Sequence, residues 1–202
     1  MRIKRNDNAF TGLEAAIVLI AFVVVAAVFS YVVLGAGFFT TQKSQEVVHT
    51  GISQASSSME IIGNVYGYGS DSGTTAALTH VVFTVGNTAG GSPIDIAKMI
   101  ITYISGEKNV VYQFDDVEFD ELSNKDVKTS PSANKWTIVQ IINDNGNGNL
   151  LLEPGEQFVL AVKVENPTAN QKFSLNLQPA VGSVFSIHKT APPFINDVNI
   201  LY

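Results

Sequence analysis

Hydrophobic positions follow one another along this chain in three different ways. Residues 15–34 read AAIVLIAFVVVAAVFSYVVL, about twenty apolar residues with no charge among them, and about 20 such residues are enough for an α-helix to cross a bilayer. Apolar residues continue almost unbroken to Phe39. A helix that is apolar on every side has to be buried in lipid or in other protein. Beyond Phe39 the pattern changes: Val47, Val48, Ile52, Ala55, Met59 and Ile62 recur at helical spacing, with Lys43, Gln45, Glu46, Ser53 and Glu60 between them. This predicts a helix that continues to about Ile62 with one apolar stripe. A helix over 10–62 would be roughly 80 Å long at about 1.5 Å per residue. Such a rod is too long to hide inside a domain built from the roughly 140 residues that remain. Its first half must therefore find partners outside the chain.

From about Thr79 the third pattern takes over, in which short apolar runs are split by turn signals. Candidate strands cover 79–85, 94–104, 110–114, 136–142, 157–164, 172–177, 183–187 and 195–200. Between them lie Gly90-Gly91-Ser92-Pro93, Ser105-Gly106, Asp144-Asn145-Gly146-Asn147-Gly148 and Glu153-Pro154-Gly155. Regular short strands of this kind favour an antiparallel sandwich of immunoglobulin-like architecture. The fold class expected is α+β, a long N-terminal hydrophobic helix followed by an antiparallel β-sandwich. The domains expected are a leader over 1–9, the helix over 10–62, a linker over 63–78 within which 63–75 is rich in Gly, Ser and Thr, and the sandwich over 79–202.

Composition narrows the reading. The chain has 202 residues and no cysteine, so burial and β-pairing must hold the domain without disulfides. Only 15% of residues are charged and the formal net charge is −6. Removing residues 1–9 takes away three basic residues and one acidic one, leaving −8. No cluster of Lys and Arg lies beyond the leader, which argues against nucleic acid as a partner.

The leader carries Arg2, Lys4 and Arg5, a basic prefix that holds the amino end in the cytoplasm. A secretory signal peptide has a shorter apolar region and a small-residue cleavage site. Gly35-Ala36-Gly37 could pass as such a site, but cutting there would discard the whole helix. An uncleaved signal-anchor and this late-cut signal peptide are the plain alternatives. The stretch Phe10-Thr11-Gly12-Leu13-Glu14-Ala15-Ala16-Ile17-Val18-Leu19-Ile20-Ala21-Phe22 resembles the start of mature archaeal flagellins (archaellins), a branch of the type IV pilin superfamily. The resemblance extends through Phe38-Phe39-Thr40-Thr41-Gln42-Lys43 and, more loosely, through 91–95 and 143–156. It implies that a membrane leader peptidase cuts between Ala9 and Phe10 and leaves the apolar run on the mature protein. This chain has Ala9 where the family usually has glycine before the cut. The resemblance also implies that Glu14, the fifth mature residue, pairs with the new amino group on Phe10 of an adjacent subunit. The alternative for Glu14 is a place at the polar interface or a favourable interaction with the helix start. Ala15, Ala16, Ala21, Ala26, Ala27, Gly35, Ala36 and Gly37 would let such helices approach closely, or are simply membrane-helix filler.

Candidate chemistry elsewhere is sparse. In Asn143-Asp144-Asn145-Gly146-Asn147-Gly148-Asn149-Leu150, oxygen-bearing side chains fall at Asn143, Asn145 and Asn147, with Glu153 and Glu156 following. This is similar to a calcium loop. Asn143 replaces the usual leading acid, however, and Pro154 stands where a bidentate acid should close the loop. The alternative is a hairpin connection with two Asn-Gly steps. His49, His80 and His188 have no nucleophile elbow, metal-binding HExxH helix or phosphate loop beside them. Asp115-Asp116 and Asp120-Glu121 read as a solvated acidic loop. No enzyme is expected and no cofactor apart from the calcium alternative. No Asn-x-Ser/Thr acceptor occurs, because Asn166-Pro167-Thr168 is disallowed by its proline.

The resemblance implies a structural subunit that polymerises with many copies of itself, and with paralogous archaellins, into an extracellular swimming filament. It also implies insertion in the cytoplasmic membrane before assembly, followed by work from a separate ATPase and membrane platform. The alternatives are an archaeal adhesive pilin and a membrane-anchored extracytoplasmic binding module.

Overall fold

A computed structural model describes residues 7–70, 73, 76–88, 90–106, 108–115 and 130–202, with side chains from residue 12 onward. The basic residues Arg2, Lys4 and Arg5, and Asp116, Asp120 and Glu121 of the acidic loop, lie outside the described residues. The chain divides into two compact units, one ending at Thr50 and the other spanning Gly51–Tyr202.

A single helix, α1 (Asp7–Ser56), holds the apolar run. Its 50 residues make it about 75 Å long. It stops at Ser56, short of the expected Ile62. Ser56, Ser57 and Ser58 explain the stop, since serine side chains compete for backbone groups and disfavour helix interiors. Ser57 N donates the last helical bond to Ser53 O at 2.9 Å. The neighbouring hydroxyls bond to a distant loop instead, with Ser56 Oγ 2.7 Å from Ser92 Oγ and Ser58 Oγ 3.1 Å from Thr88 Oγ1.

The expected helix end and the expected 63–78 linker both give way to a long strand, β1 (Met59–Gly69). Met59 and Ile62 fit a helical stripe by spacing, but Met59 is buried and pairs with Asn87 in a ladder. Glycines at 63, 67 and 69 hide the strand from a propensity reading. At Gly67 the space is tight: a Cβ there would stand 3.1 Å from Leu78 and 3.2 Å from Leu201, so those side chains would have to shift to admit it.

The remaining strands are β2 (Leu78–Asn87), β3 (Ile94–Asp95), β4 (Ile100–Ser105), β5 (Lys108–Phe114), β6 (Lys135–Ile142), β7 (Leu151–Leu152), β8 (Gln157–Lys163), β9 (Lys172–Gln178), β10 (Phe185–Thr190) and β11 (Val198–Leu201). Every expected strand overlaps one of these. The run expected over 94–104 is broken in two, because Met99 N bonds Ile96 O at 3.0 Å and the Lys98 backbone N–H donates to Asp95 Oδ1 at 3.3 Å. Among the described residues nine strands form one sheet in the order β10-β9-β4-β5-β6-β8-β2-β1-β11, and β3 and β7 pair separately. All neighbours are antiparallel except β5 and β6.

The two ends of that order come together. Thr190 N donates to Tyr202 O at 3.4 Å, and Lys189 Nζ donates to Leu201 O at 3.0 Å. The sheet therefore curls towards a barrel, an arrangement compatible with the expected sandwich. Inward residues alternate along β4, β9 and β11, as the twofold side-chain period requires, whereas β2, β6 and β8 are buried on their other face as well, where Val82, Val139 and Ala161 form a second small cluster. Val81, Phe83 and Val85 of β2, Ile101 and Tyr103 of β4, Leu175 and Leu177 of β9, and Leu160 and Val162 of β8 meet in one core. Trp136 packs on Phe114 with ring centroids 4.9 Å apart, and Tyr103 stacks on Phe173 at 5.8 Å.

Candidate functional site

Helix α1 is one candidate surface. From Leu13 to Ile52 its large apolar side chains are exposed, Phe22 at 73% and Phe29 at 69% among them. Among the described residues it is the one helix long and apolar enough to cross a membrane, and none of its apolar window is buried within the chain. Its few polar side chains are satisfied locally. Thr40 Oγ1 donates to Ala36 O at 2.8 Å, Thr41 Oγ1 to Gly37 O at 2.9 Å, and Thr50 Oγ1 to Glu46 O at 2.8 Å. Such back-bonding lets a hydroxyl sit in an apolar setting without a stranded donor. Lys43 and Glu46 form an exposed ion pair at 2.5 Å, of a kind that adds little to stability. Ala9 and Phe10 lie on the helical backbone of α1, and their side chains are outside the described ones. Glu14 lies four residues on, one helical turn away, exposed beside Ala15, Val18 and Leu19.

The second candidate is the loop from Ile142 to Gln157, where Asn143, Asn145, Asn147 and Glu153 fall within one connection. Asn143 and Gly146 both adopt positive φ, at 59° and 81°, as a tight connection needs. The asparagines form a ladder of side-chain turns. Asn145 Oδ1 accepts Asn147 N at 3.1 Å, Asn147 Oδ1 accepts Asn149 N at 3.1 Å, and Asn149 Oδ1 accepts Leu151 N at 2.8 Å. The amide nitrogens of Asn145 and Asn147 both donate to Glu153 Oε2, the latter at 3.1 Å. With the oxygens engaged on backbone N–H groups and the nitrogens on a carboxylate, the network itself fixes which way each amide points. Asn143 Nδ2 reaches Gly155 O at 3.5 Å.

Glu156, which the sequence places after the loop without a role, organises it. It is buried at 5% exposure, and its two oxygens accept Asn145 N and Glu153 N, each at 3.2 Å. Its position at the mouth of β8, just after the Glu153-Pro154-Gly155 turn, was the available signal. A buried carboxylate needs such donors. As arranged, the asparagine and glutamate side chains satisfy one another rather than turning their oxygens to a common centre. Among the described residues no group of three or more histidine, aspartate or glutamate side chains is gathered around a metal position.

The histidines share no site. His49 is exposed on α1 and His188 is exposed on β10, whereas His80 is buried and stacked on Tyr68 at 4.7 Å, its Nδ1 2.9 Å from Thr79 Oγ1. Burial raises the Tyr112 hydroxyl well above its ordinary value, and Glu165 beside it, which accepts its hydrogen bond at 3.2 Å, pushes in the same direction. Burial likewise raises Tyr103.

Comparison with known proteins places these features together. The profile of the archaeal-type flagellin family matches residues 9–189. The "Probable flagellin 1" of Archaeoglobus fulgidus is 42% identical over 209 aligned positions, spanning 100% of this chain and 98% of that protein. Among solved structures, the archaeal flagellum of Methanospirillum hungatei strain JF1 superposes with a TM-score of 0.69 at 33% identity, covering 95% of this chain and 99% of that one. The flagellin FlaB1 of Methanocaldococcus jannaschii shares the fold, with a TM-score of 0.57 at 19% identity over 72% of this chain and 96% of that one.

Proposed function

This chain belongs to the archaeal-type flagellin family, and from that premise we propose how its parts make a filament. It is a structural subunit of an archaeal flagellum that assembles with other copies into an extracellular polymer. The family is one of filament subunits and not of enzymes.

The steps of assembly are our reading. The chain first inserts α1 into the cytoplasmic membrane with its basic leader inside. A membrane peptidase removes 1–9 by cutting between Ala9 and Phe10. A separate ATPase and membrane platform then draw the subunit out, so that α1 joins a central bundle and the β-domain faces outward. In lipid the apolar side chains are already out of water, so the bundle gains packing rather than hydrophobic free energy. The small residues from Ala15 to Gly37 let backbones approach for that packing. Glu14 costs a few kcal/mol in hydrocarbon when charged, and the freed amino group of Phe10 in a neighbouring copy offsets that cost.

The observation that carries this reading is the fully exposed apolar length of α1. Amino-terminal sequencing of native protein, together with electron microscopy of the cell surface, tests it. Chains beginning at Phe10 in rotating filaments are expected. An intact Met1 without filaments would make the helix a mere tether for a binding module, and a Phe10 start in non-rotating fibres would make the chain a pilin.

The loop holding Asn143, Asn145, Asn147 and Glu153 acts, in the same reading, as a hairpin connection held by its own hydrogen bonds. Its melting should be unchanged by a chelator. A fall in melting temperature on chelation would assign a calcium ion to those four side chains.

A further inference from the structure

The loop between β6 and β8 contains the two Asn-Gly steps of the chain, Asn145-Gly146 and Asn147-Gly148. Such a step is chemically fragile, because glycine leaves its own backbone nitrogen unshielded. Once that nitrogen has lost its proton to solvent base, it attacks the Cγ of the preceding asparagine. An N–C bond forms, the Cγ–Nδ2 bond breaks, and ammonia departs with a proton taken from water. Water then opens the succinimide ring at either carbonyl and leaves aspartate or isoaspartate. Burial does not prevent this here, since residues 143–148 are all exposed. Nor can the glycines be replaced without strain. Gly146 and Gly148 hold φ at 81° and 64°, a region that L side chains rarely adopt.

The hydrogen bonds of the loop act on the steps that ring closure needs. For attack, each amide plane must turn its face to the next backbone nitrogen. Both ends of both amides are held against that rotation. Asn145 Oδ1 accepts Asn147 N and Asn147 Oδ1 accepts Asn149 N, each at 3.1 Å, while both Nδ2 atoms donate to Glu153 Oε2. Charge works in the same direction. Attack puts negative charge on Oδ1 of an amide that already touches the Glu153 carboxylate, and like charges so close repel. The carboxylate is itself kept in place. The Glu153 backbone N–H donates to Glu156 Oε2 at 3.2 Å, and the following Pro154 restricts the Glu153 backbone.

We propose that Glu153 guards Asn145 and Asn147 against deamidation, so that the two steps the sequence makes most reactive keep their amides. The inference rests on the reading of this loop as a hairpin connection held by its own hydrogen bonds, without a metal ion. The product of the reaction would undo the loop. A carboxylate at position 145 or 147 has no N–H to donate to Glu153 and stands against it with like charge. In a filament outside the cell such changes accumulate with age, so even a slow reaction at this loop has a lasting effect.

The full-length chain, unsubstituted and with Glu153→Gln or Glu153→Ala, is aged in mildly alkaline buffer and then digested. Mass spectrometry reads conversion of amide to acid in the peptide that holds 143–156, and Trp136 fluorescence checks that each β-domain stays folded during ageing. Glu153→Gln, which keeps the shape of the side chain, carries the test where Glu153→Ala does not fold. In the folded unsubstituted chain, Asn145 and Asn147 should convert roughly tenfold or more slowly than in the same chain unfolded in urea, and each Glu153 substitution should restore about tenfold of that rate, the equivalent of one hydrogen bond to a charged group. Asn109, exposed but followed by Val110, should convert equally slowly in all three folded proteins. Equal conversion in the folded and unfolded chains, or folded Glu153 variants converting no faster than the parent, would overturn the proposal. Slower conversion in Glu153→Gln would also overturn it, by making the carboxylate a base that assists attack. A parallel ageing with a chelator should give unchanged rates. Faster conversion of the unsubstituted chain on chelation would instead overturn the metal-free reading of the loop, and the guard with it.

Discussion

Phe22 and Phe83 are the same side chain in opposite situations, 73% exposed on α1 and 1% exposed between the strands of the β-domain. The β-domain resolves its apolar pattern within itself: alternate residues point inward, and their neighbours in sequence point out. The helix has no such resolution, since its apolar residues occupy every side. Each fully buried Val, Leu, Ile or Phe is worth about 1.5–3 kcal/mol relative to water, and α1 gains none of this from its own chain. One unit is therefore specified by the chain alone, and the other only by lipid or by further copies. A filament subunit needs both behaviours, a domain that stays folded outside the cell and a segment that is complete only in company.

Substitutions that act on one unit and spare the other sharpen this contrast. The largest effect is expected from Val24→Asp, which places a charge at the middle of the apolar run, where an acid costs about 2.5–3.5 kcal/mol in a membrane helix. Repeated in every copy, this should abolish filaments on electron micrographs. The β-domain should still melt within about 0.5 kcal/mol of the parent, followed through the fluorescence of Trp136, the chain's one tryptophan. A drop in β-domain stability would break the contrast.

Phe158→Ala is the converse. Phe158 is fully buried in the core, and removing such a ring costs about 3–5 kcal/mol, a large share of the roughly 5–15 kcal/mol that holds a typical domain. The same fluorescence melt should register the loss. Glu156→Ala should cost less, about 1–3 kcal/mol, by leaving the Asn145 and Glu153 backbone N–H groups without their buried acceptor. A melt unchanged by that substitution would show that the loop does not depend on Glu156.

The smallest effect at neutral pH belongs to Tyr112. Its hydroxyl is held well above the ordinary 10.0 by burial first and by Glu165 second. The folded state thus keeps a proton that the unfolded chain gives up near pH 10. That contribution is fully present below about pH 10 and is lost as pH rises further towards the folded value. The melting temperature should hold steady up to about pH 10 and then fall, and Tyr112→Phe should make the fall shallower. Identical alkaline profiles for the two proteins would contradict the assignment.

How far the residues alone foretell this structure depends on the strength of the local signal. The apolar run from Ala15 to Phe39 has one physical solution, a helix, and it is one. The eight expected strands are legible because turn residues separate them. Met59 to Gly69 misleads because two different periods fit it: Met59 and Ile62 stand three apart, as on a helix, and only the pairing of Met59 with Asn87 and Tyr66 with Val82 decides for a strand. That decision is tertiary, made by residues distant in sequence. The same holds for Glu156, whose spacing gives its position but not its partners. The pairing of β1 with β11 is invisible in the sequence for the same reason, because Tyr66 and Ile200 become neighbours only through the sheet.

Electron cryo-microscopy of native filaments, carried to a resolution at which helices are separated, tests the central claim most directly. The account predicts the α1 helices packed together along the axis, with the β-domains arranged around them on the outside. Filaments with β-domains along the axis and α1 lying in water at the surface would contradict it.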